Sequence, residues 1–138
     1  MLRAAAVSTV LATIALVAST AAVAADPQMF QTPSKNIACA TFESTLRCDM
    51  RVVGNSSPAK PSSCEGDYGH AFGVTKTAAK GRRLCVSDAV GGPGTPTIAY
   101  DRTWKRNGFT CRVRRSGLRC TNGGGHGFEL RRGRQQLF

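Results

Sequence analysis

The two histidines of this 138-residue chain are its most obvious candidates for acid–base chemistry. His70 and His126 each lie in a Gly-His-x-Phe unit, at residues 69–72 and 125–128. Two imidazoles near a lysine or arginine could cleave RNA, one as general base and one as general acid, with the cation stabilising the transition state. The repeated context favours a structural role, in which each ring hydrogen-bonds to the backbone beside a core Phe. The catalytic interpretation requires both rings in one open cleft.

A second group of residues could bind an anion. Residues 102–138 contain ten Lys or Arg and one acid, Glu129, whereas residues 26–101 are nearly neutral and the whole chain carries +11. Such a cluster attracts polyanions, and Trp104 beside it could stack on a base or sugar. The alternatives are a solvated basic surface and a Trp that belongs to the core. We assign the candidate binding face to Trp104, Lys105, Arg106, Arg112, Arg114, Arg115 and Arg119.

Other chemical motifs are weak or absent in the sequence. There is no Gly-x-Ser-x-Gly nucleophile elbow, and the glycine-rich stretches lack the strand-to-helix setting of a phosphate loop. The six cysteines include no Cys-x-x-Cys pair of the kind that binds zinc. We therefore expect neither a metal nor a cofactor.

The first 25 residues have the pattern of a secretory signal peptide. Met1-Leu2-Arg3 is basic, an apolar run follows, and Ala22-Val23-Ala24 or Val23-Ala24-Ala25 offers a small-residue cleavage site before Asp26. Residues 26–138 then form a single secreted β domain with no transmembrane anchor after cleavage. We expect the protein to be secreted or associated with the cell envelope.

An internal repeat predicts how the cysteines pair. The ten-residue segments 39–48 and 111–120 each begin and end with Cys and share Ser and Leu-Arg at equivalent positions. Six cysteines in an exported chain of this size are typical of three disulfides. The repeat favours Cys39–Cys48 and Cys111–Cys120 among the possible pairings, which leaves Cys64–Cys85.

Short runs of strand alternation lie between Gly- and Pro-rich loops, and no helical period is sustained. If Arg115-Ser116 forms a two-residue turn, Cys111 lies opposite Cys120 and Arg112 lies opposite Arg119. The facing arginines would then destabilise the hairpin unless hydration or a bound anion relieved them. We expect an all-β domain, a small disulfide-stapled barrel or sandwich with two related hairpins. Its roughly eight strands lie near residues 36–42, 45–51, 70–76, 82–87, 97–101, 108–114, 117–122 and 126–131.

Several motifs resemble a known family. They are Phe-x-Thr-Pro-Ser-x-Asn-Ile-x-Cys at 30–39, Leu-Arg-Cys at 46–48, Gly-Phe-Thr-Cys at 108–111 and Gly-His-Gly-Phe at 125–128. The chain is similar to small secreted bacterial proteins, common in actinobacteria, that are known only as a domain of unknown function. The resemblance implies export and a disulfide-stapled domain, and it transfers no catalytic residues. Lys35 departs from the Gly that is more common in the first motif.

Three functions from different classes remain open. The leading one is an exported, non-catalytic protein that binds an anionic envelope polymer or extracellular nucleic acid through its C-terminal basic face. The second is a small secreted hydrolase, ribonuclease-like, that uses His70 and His126. The third is a protein-directed inhibitor or structural envelope protein, with residues 54–63 or 91–97 as its contact loop. The sequence favours a protein without catalytic activity.

Overall fold

The computed structural model describes residues 15–138, so residues 1–14 of the expected signal peptide lie outside the described residues. Residues 15–25 are exposed and have no secondary structure. The next two residues contact the domain, because Asp26 and Pro27 accept hydrogen bonds from Lys105 N (2.7 Å) and Trp104 Nε1 (2.8 Å). In the described part of the chain, no helix is long and apolar enough to span a membrane.

Ten strands form two five-stranded antiparallel sheets, each with its strands in chain order. Sheet A contains β1 (Met29–Gln31), β2 (Ile37–Thr41), β3 (Thr45–Met50), β4 (Asp67–Thr75) and β5 (Arg82–Val86). Sheet B contains β6 (Thr103–Arg106), β7 (Phe109–Arg114), β8 (Gly117–Thr121), β9 (Gly127–Arg131) and β10 (Arg134–Leu137). The all-β prediction is confirmed. The sheets pack as a sandwich and do not close into a barrel, and there are ten strands rather than about eight.

The differences from the expected strands lie at the sheet edges. β1, β6 and β10 have only three or four residues, too few to show a clear alternation of apolar and polar residues. Residues 97–101, expected as a strand, contribute only one isolated parallel bridge, between Thr97 and Gln31. The chain turns at Asp101, whose φ is 65°, and the edge strand β6 begins after this turn.

The two sheets are copies of one five-strand unit. In sheet A, Cys39 pairs with Cys48 across β2 and β3, and Cys48 pairs with Phe72 of β4. The equivalent pairs in sheet B are Cys111 with Cys120 and Cys120 with Phe128. At the first edges, Phe30 pairs with Cys39 and Trp104 pairs with Cys111. The repeat therefore extends beyond the two cysteine hairpins to the whole domain.

The core lies between the sheets and consists largely of these equivalent residues. Phe30 packs on Trp104 with ring centroids 4.8 Å apart, and Phe72 faces Phe128 at 6.3 Å. The sulfur of Cys120 lies within 4.8 Å of the Cys39–Cys48 disulfide sulfurs, so the two hairpin disulfides are side by side. Because each sheet buries its apolar face against the other, neither half of the repeat has a core of its own.

Three disulfides join Cys39 to Cys48, Cys64 to Cys85 and Cys111 to Cys120, which are the pairs that the repeat favoured. The register expected for the second hairpin is also present. Arg112 lies opposite Arg119, and Val113 lies opposite Leu118. The hairpin thus directs its cysteines and aliphatic side chains inward and its arginines outward.

The three disulfides should differ in their resistance to reduction. We expect a mild thiol reductant to open Cys64–Cys85 first, because Cys85 is exposed while the hairpin cysteines are completely buried. Thiol–disulfide exchange requires the attacking thiolate to reach a sulfur atom. Alkylation and peptide mapping along a dithiothreitol series would show the order. Simultaneous opening of all three bonds would mean that reduction proceeds through global unfolding.

Candidate functional site

The outer face of sheet B presents its basic residues in register across the strands. Side chains alternate along a strand, so the burial of Trp104, Val113 and Leu130 turns their neighbours outward. Arg112, Arg119 and Glu129 form one row on β7, β8 and β9, and Arg131 pairs with Arg134 across β9 and β10. We define the basic face as the exposed side chains of Lys105, Arg112, Arg114, Arg119, Arg131 and Arg134.

This surface differs from the one expected from the sequence. Arg106 donates a hydrogen bond from Nη1 to the carbonyl of Asp26, and Arg115 lies in the β7–β8 turn with its guanidinium over the ring of Tyr100 at 4.8 Å. Arg131 and Arg134 were missed. The sequence did contain an indication for Arg131. A strand that buries Phe128 and Leu130 directs residues 129 and 131 outward, because side chains alternate along a strand.

Trp104 does not reach the surface. Its side chain is completely buried, its ring packs on Phe30, and its indole Nε1 donates to the carbonyl of Pro27 at 2.8 Å. The structure therefore supports the core interpretation of this residue, and the ring is not available to stack on a ligand. At the end of the chain, the ring of Phe138 is covered by the guanidinium of Arg119 at 4.1 Å.

Glu129 is the one acidic residue on the basic face. Its carboxylate accepts a hydrogen bond from Arg119 Nη1 at 3.3 Å and pairs on its other oxygen with Arg131. Partial burial alone would raise the pKa of Glu129, but the hydrogen bonds and charges of Arg131 and Arg119 outweigh burial and lower it. Glu129 is thus ionised at neutral pH and offsets one cation. Among the described residues, Arg112 and Arg114 form no ion pair.

The equivalent arginine of sheet A has a different environment. Arg47, like Arg119, precedes the closing cysteine of its hairpin, but Arg47 is only 9% exposed. It donates from Nε and Nη2 to Asp49 at 2.9 and 2.8 Å, and from Nη1 to the Asp88 carboxylate at 2.8 Å. The hydrogen bond to Asp49 raises the pKa of Arg47, and the hydrogen bond from Arg47 lowers the pKa of Asp88. This charge is compensated within the fold.

A segment that we call the strap, residues 87–96, crosses the outer face of sheet A. Val90 N donates to Asp49 Oδ2 at 3.0 Å, and Gln31 N donates to the carbonyl of Pro96 at 2.8 Å. A Cβ on Gly91 would lie only 2.6 Å from that of Ala38, so the backbone of the strap lies close against β2. The strap, which includes most of the loop 91–97, leaves the outer face of sheet A partly covered. The basic face of sheet B has no such cover among residues 15–138.

The attachment of the strap should be sensitive to acid. Because the hydrogen bond and charge of Arg47 lower the pKa of Asp88, this carboxylate stabilises the fold above its unfolded pKa, and the stabilisation is lost as pH falls through the lower folded pKa. We expect Asp88→Asn to be less stable than the wild type at neutral pH, with the difference beginning to shrink near pH ~4 and vanishing only at lower pH, below the folded pKa of Asp88. Thermal melts between neutral and acidic pH measure this difference. Asp67→Asn, at an exposed carboxylate without an ion pair, is the control and should show no such convergence.

The structure places the two histidines in different surroundings. His70, on β4, is exposed, and its Nδ1 lies 2.9 Å from the carbonyl of Met50. Since a carbonyl only accepts, Nδ1 donates to it, and Nε2 is the ring nitrogen left for another partner. His126 is partly buried just before β9, where its backbone N donates to Asn122 Oδ1 at 3.0 Å. His70 lines a cavity of about 950 Å³ on sheet A and His126 does not, so that cavity does not combine the two rings as the hydrolase interpretation requires.

The described residues offer no convincing metal centre. The one His, Cys, Asp or Glu group compact enough to hold an ion comprises Cys39, Cys48 and Cys120. All three are in disulfides, so none can supply a thiolate.

These observations define a disulfide-stapled antiparallel β-sandwich built from a duplicated unit, with one strongly basic open face. Residues 9–138 match the model of DUF6636, a family of unknown function, and the chain belongs to this family. Comparisons with curated proteins and with solved structures found no match. The function must therefore be argued from the surface of this chain.

Proposed function

We propose that this protein is an exported, non-catalytic binding protein that holds an anionic polymer on the basic face of sheet B. The observation that carries this proposal is the contrast between the two halves of the duplicated unit. Sheet A neutralises Arg47 with two carboxylates and packs the strap against its outer face. The equivalent face of sheet B carries six exposed cations, only one carboxylate and no cover in the described part of the chain.

The arrangement of the cations suits a polymer better than a single small anion. Neighbouring strands are about 4.8 Å apart, and residues two apart on one strand are separated by about 6.8 Å. Arg112, Arg114 and Arg119 are therefore neighbouring positions on the outer face of sheet B. The like charges of Arg112 and Arg119 face each other across the strands, which costs stability. A chain of regularly spaced anionic groups would relieve this repulsion at several positions simultaneously.

The chemistry of the face favours recognition of a charged backbone over recognition of bases. Proteins that bind single-stranded nucleic acid stack the bases on exposed aromatic rings. Trp104 is in the core, and Phe138 is covered by Arg119. We therefore expect anionic envelope polymers to be the main ligands, and we expect any binding of extracellular nucleic acid to depend little on base sequence.

Export is part of the proposal and has two supports. Three disulfides in a domain of this size are typical of an oxidising compartment. The expected cleavage site also coincides with the start of ordered contacts, because residues 15–25 are exposed and Asp26 is bonded to Lys105 and Arg106. Of the described residues, cleavage before Asp26 would remove only 15–25, which belong to no strand. Amino-terminal sequencing of the protein from culture medium and from the envelope fraction tests both export and the cleavage position.

A pair of double variants with the same net charge tests the basic face. We expect Arg112→Ser/Arg114→Ser to elute from a heparin or phosphocellulose column at lower salt than the wild type, with a salt-dependence slope smaller by about two units, since each lost phosphate-like contact removes about one. Both side chains are exposed and unpaired, so folding should be retained.

The matched control is Lys76→Ser/Lys80→Ser, which removes the same charge from the exposed segment between β4 and β5. It should change the slope much less. Equal elution of the two variants would show that the charge acts as a diffuse surface and would refute a localised site. Thermal melts of each variant separate lost binding from lost folding.

A further inference from the structure

The outer face of sheet A contains a cavity of about 950 Å³. It lies between the strap and the end of the sheet where β3 ends and β4 begins, and Ala38 and Ala71 are among its lining residues. These small side chains leave the space unfilled. Cavities of roughly 300–1,000 Å³ are the usual size for small-molecule sites.

The walls of the cavity are held in place without a ligand. Arg47 and Asp49 secure the first part of the strap through Asp88 and Val90. Gln31 secures the other end, since its backbone N donates to the Pro96 carbonyl and its side-chain Nε2 donates to the Thr95 carbonyl at 3.0 Å. A preformed site loses little conformational entropy when it binds a ligand. The cavity is therefore suited to binding as it stands.

The charges around the cavity balance, unlike those on the basic face. Asp49 and Asp88 line the cavity but both carboxylates are bonded to Arg47, which lies behind them. The remaining charged lining residues are Lys35, Arg51 and Asp67. With Arg47 included, three cations face three carboxylates. This balance favours a neutral ligand over a polyanion.

The groups that remain available can both donate and accept hydrogen bonds. His70 offers its Nε2, Asp67 offers carboxylate oxygens, and Lys35 and Arg51 offer donors. Tyr68 adds a half-buried aromatic ring with a hydroxyl group, which combines an apolar surface with a polar end. Sugars match this combination, because their hydroxyl groups donate and accept and their C–H faces pack on aromatic rings. A peptide that binds by adding a strand would instead need a free strand edge, and the cavity lies on the face of the sheet.

We propose that this cavity is a saccharide site that binds a neutral sugar unit or short neutral oligosaccharide, separate from the basic face. Tyr68 packs on the sugar ring, and Asp67 and His70 hydrogen-bond its hydroxyl groups. Within residues 15–138 this cavity lies on sheet A alone of the two copies, because the strap that bounds it is the connection between β5 and β6.

Binding can be tested by NMR titration of the oxidised protein with four neutral probes: maltotetraose, cellotetraose, mannotetraose and tetra-N-acetylchitotetraose. We expect at least one probe to cause saturable shifts confined to the His70 ring and the amides of the strap. The absence of saturable shifts with all four probes at millimolar concentration would overturn the proposal. Stronger binding of trialanine at the same residues would show that the site takes peptides and would also overturn it.

Variants locate the site and separate it from the basic face. Tyr68→Ala should weaken saccharide binding by about tenfold or more through lost stacking, and Asp67→Ala, at an exposed position, should also weaken it. Phe42→Ala is the matched control, because Phe42 is a half-exposed ring outside the cavity, and it should change affinity by less than about twofold. Arg112→Ser/Arg114→Ser should leave saccharide binding unchanged. Unaltered affinity in both Tyr68→Ala and Asp67→Ala would refute the assignment.

Discussion

Replacing Trp104 with Ala should lower the free energy of unfolding by about 3–5 kcal/mol, as is usual for a large aromatic side chain removed from a core. Trp104 is completely buried, packs on Phe30 and belongs to the cluster that joins the two sheets. Domains of this size are stable by only about 5–15 kcal/mol, so the variant should lose much of its stability. Urea unfolding followed by circular dichroism measures the loss.

Two further measurements distinguish a core Trp from a ligand-stacking Trp. Trp104→Phe keeps a buried ring but loses the Nε1 hydrogen bond to Pro27, and it should cost less, about 1–2 kcal/mol. At a temperature where Trp104→Ala is still folded, its retention on an anionic column should equal that of the wild type. Reduced retention with unchanged stability would contradict the buried position and restore a stacking role.

Replacing Arg47 with Ala should lower the free energy of unfolding by about 3 kcal/mol, whereas replacing Arg119 with Ala should lower it by less than about 1 kcal/mol. The two residues occupy equivalent positions in the repeat, each before the closing cysteine. Removing Arg47 leaves the largely buried carboxylate of Asp49 without its partner and detaches Asp88 of the strap. Arg119 is exposed; its ion-pair partner Glu129 retains Arg131, and its other contact is the ring of Phe138.

Hydrogen exchange identifies the cause of the Arg47 effect. The amide of Val90, which donates to Asp49, should exchange faster in Arg47→Ala and at the wild-type rate in Arg119→Ala. The same substitutions should have the opposite ranking on an anionic column, with Arg119→Ala weakening retention and Arg47→Ala affecting it little. Equal costs of unfolding for the two variants would show that the carboxylates of sheet A do not depend on Arg47.

The sequence predicted the interior of the sheets better than their edges. The repeat and the alternation around Cys111 indicated both hairpins, their disulfides and the facing pair of Arg112 and Arg119. These features depend on neighbouring residues and on the two-residue period of a strand. β1 and β10 were missed because edge strands of three or four residues show no such period, and they form here because a longer strand offers them hydrogen-bonding groups.

The candidate sites were predicted less completely. The concentration of charge after residue 101 indicated a basic surface, and that surface lies on sheet B. The sequence did not indicate that Arg106 and Arg115 are held away from this surface. Their contacts with Asp26 and Tyr100 form only in the folded chain. The sequence also contained no indication of the cavity on sheet A, whose lining comes from segments 31–38, 49–51, 67–71 and 86–94.

By itself, the sequence determined the strand-rich architecture, the hairpin pairing and the excess of positive charge, because each follows from local alternation, repeated spacing or composition. Only the tertiary structure decided which of two equivalent arginines is neutralised and that Trp104 lies inside. Both outcomes depend on contacts over long stretches of chain, from Arg47 to Asp88 and from Trp104 to Pro27 and Phe30. Whether a side chain is exposed depends on how the sheets pack. The two identical Leu-Arg-Cys motifs have different environments because the strap crosses the outer face of sheet A.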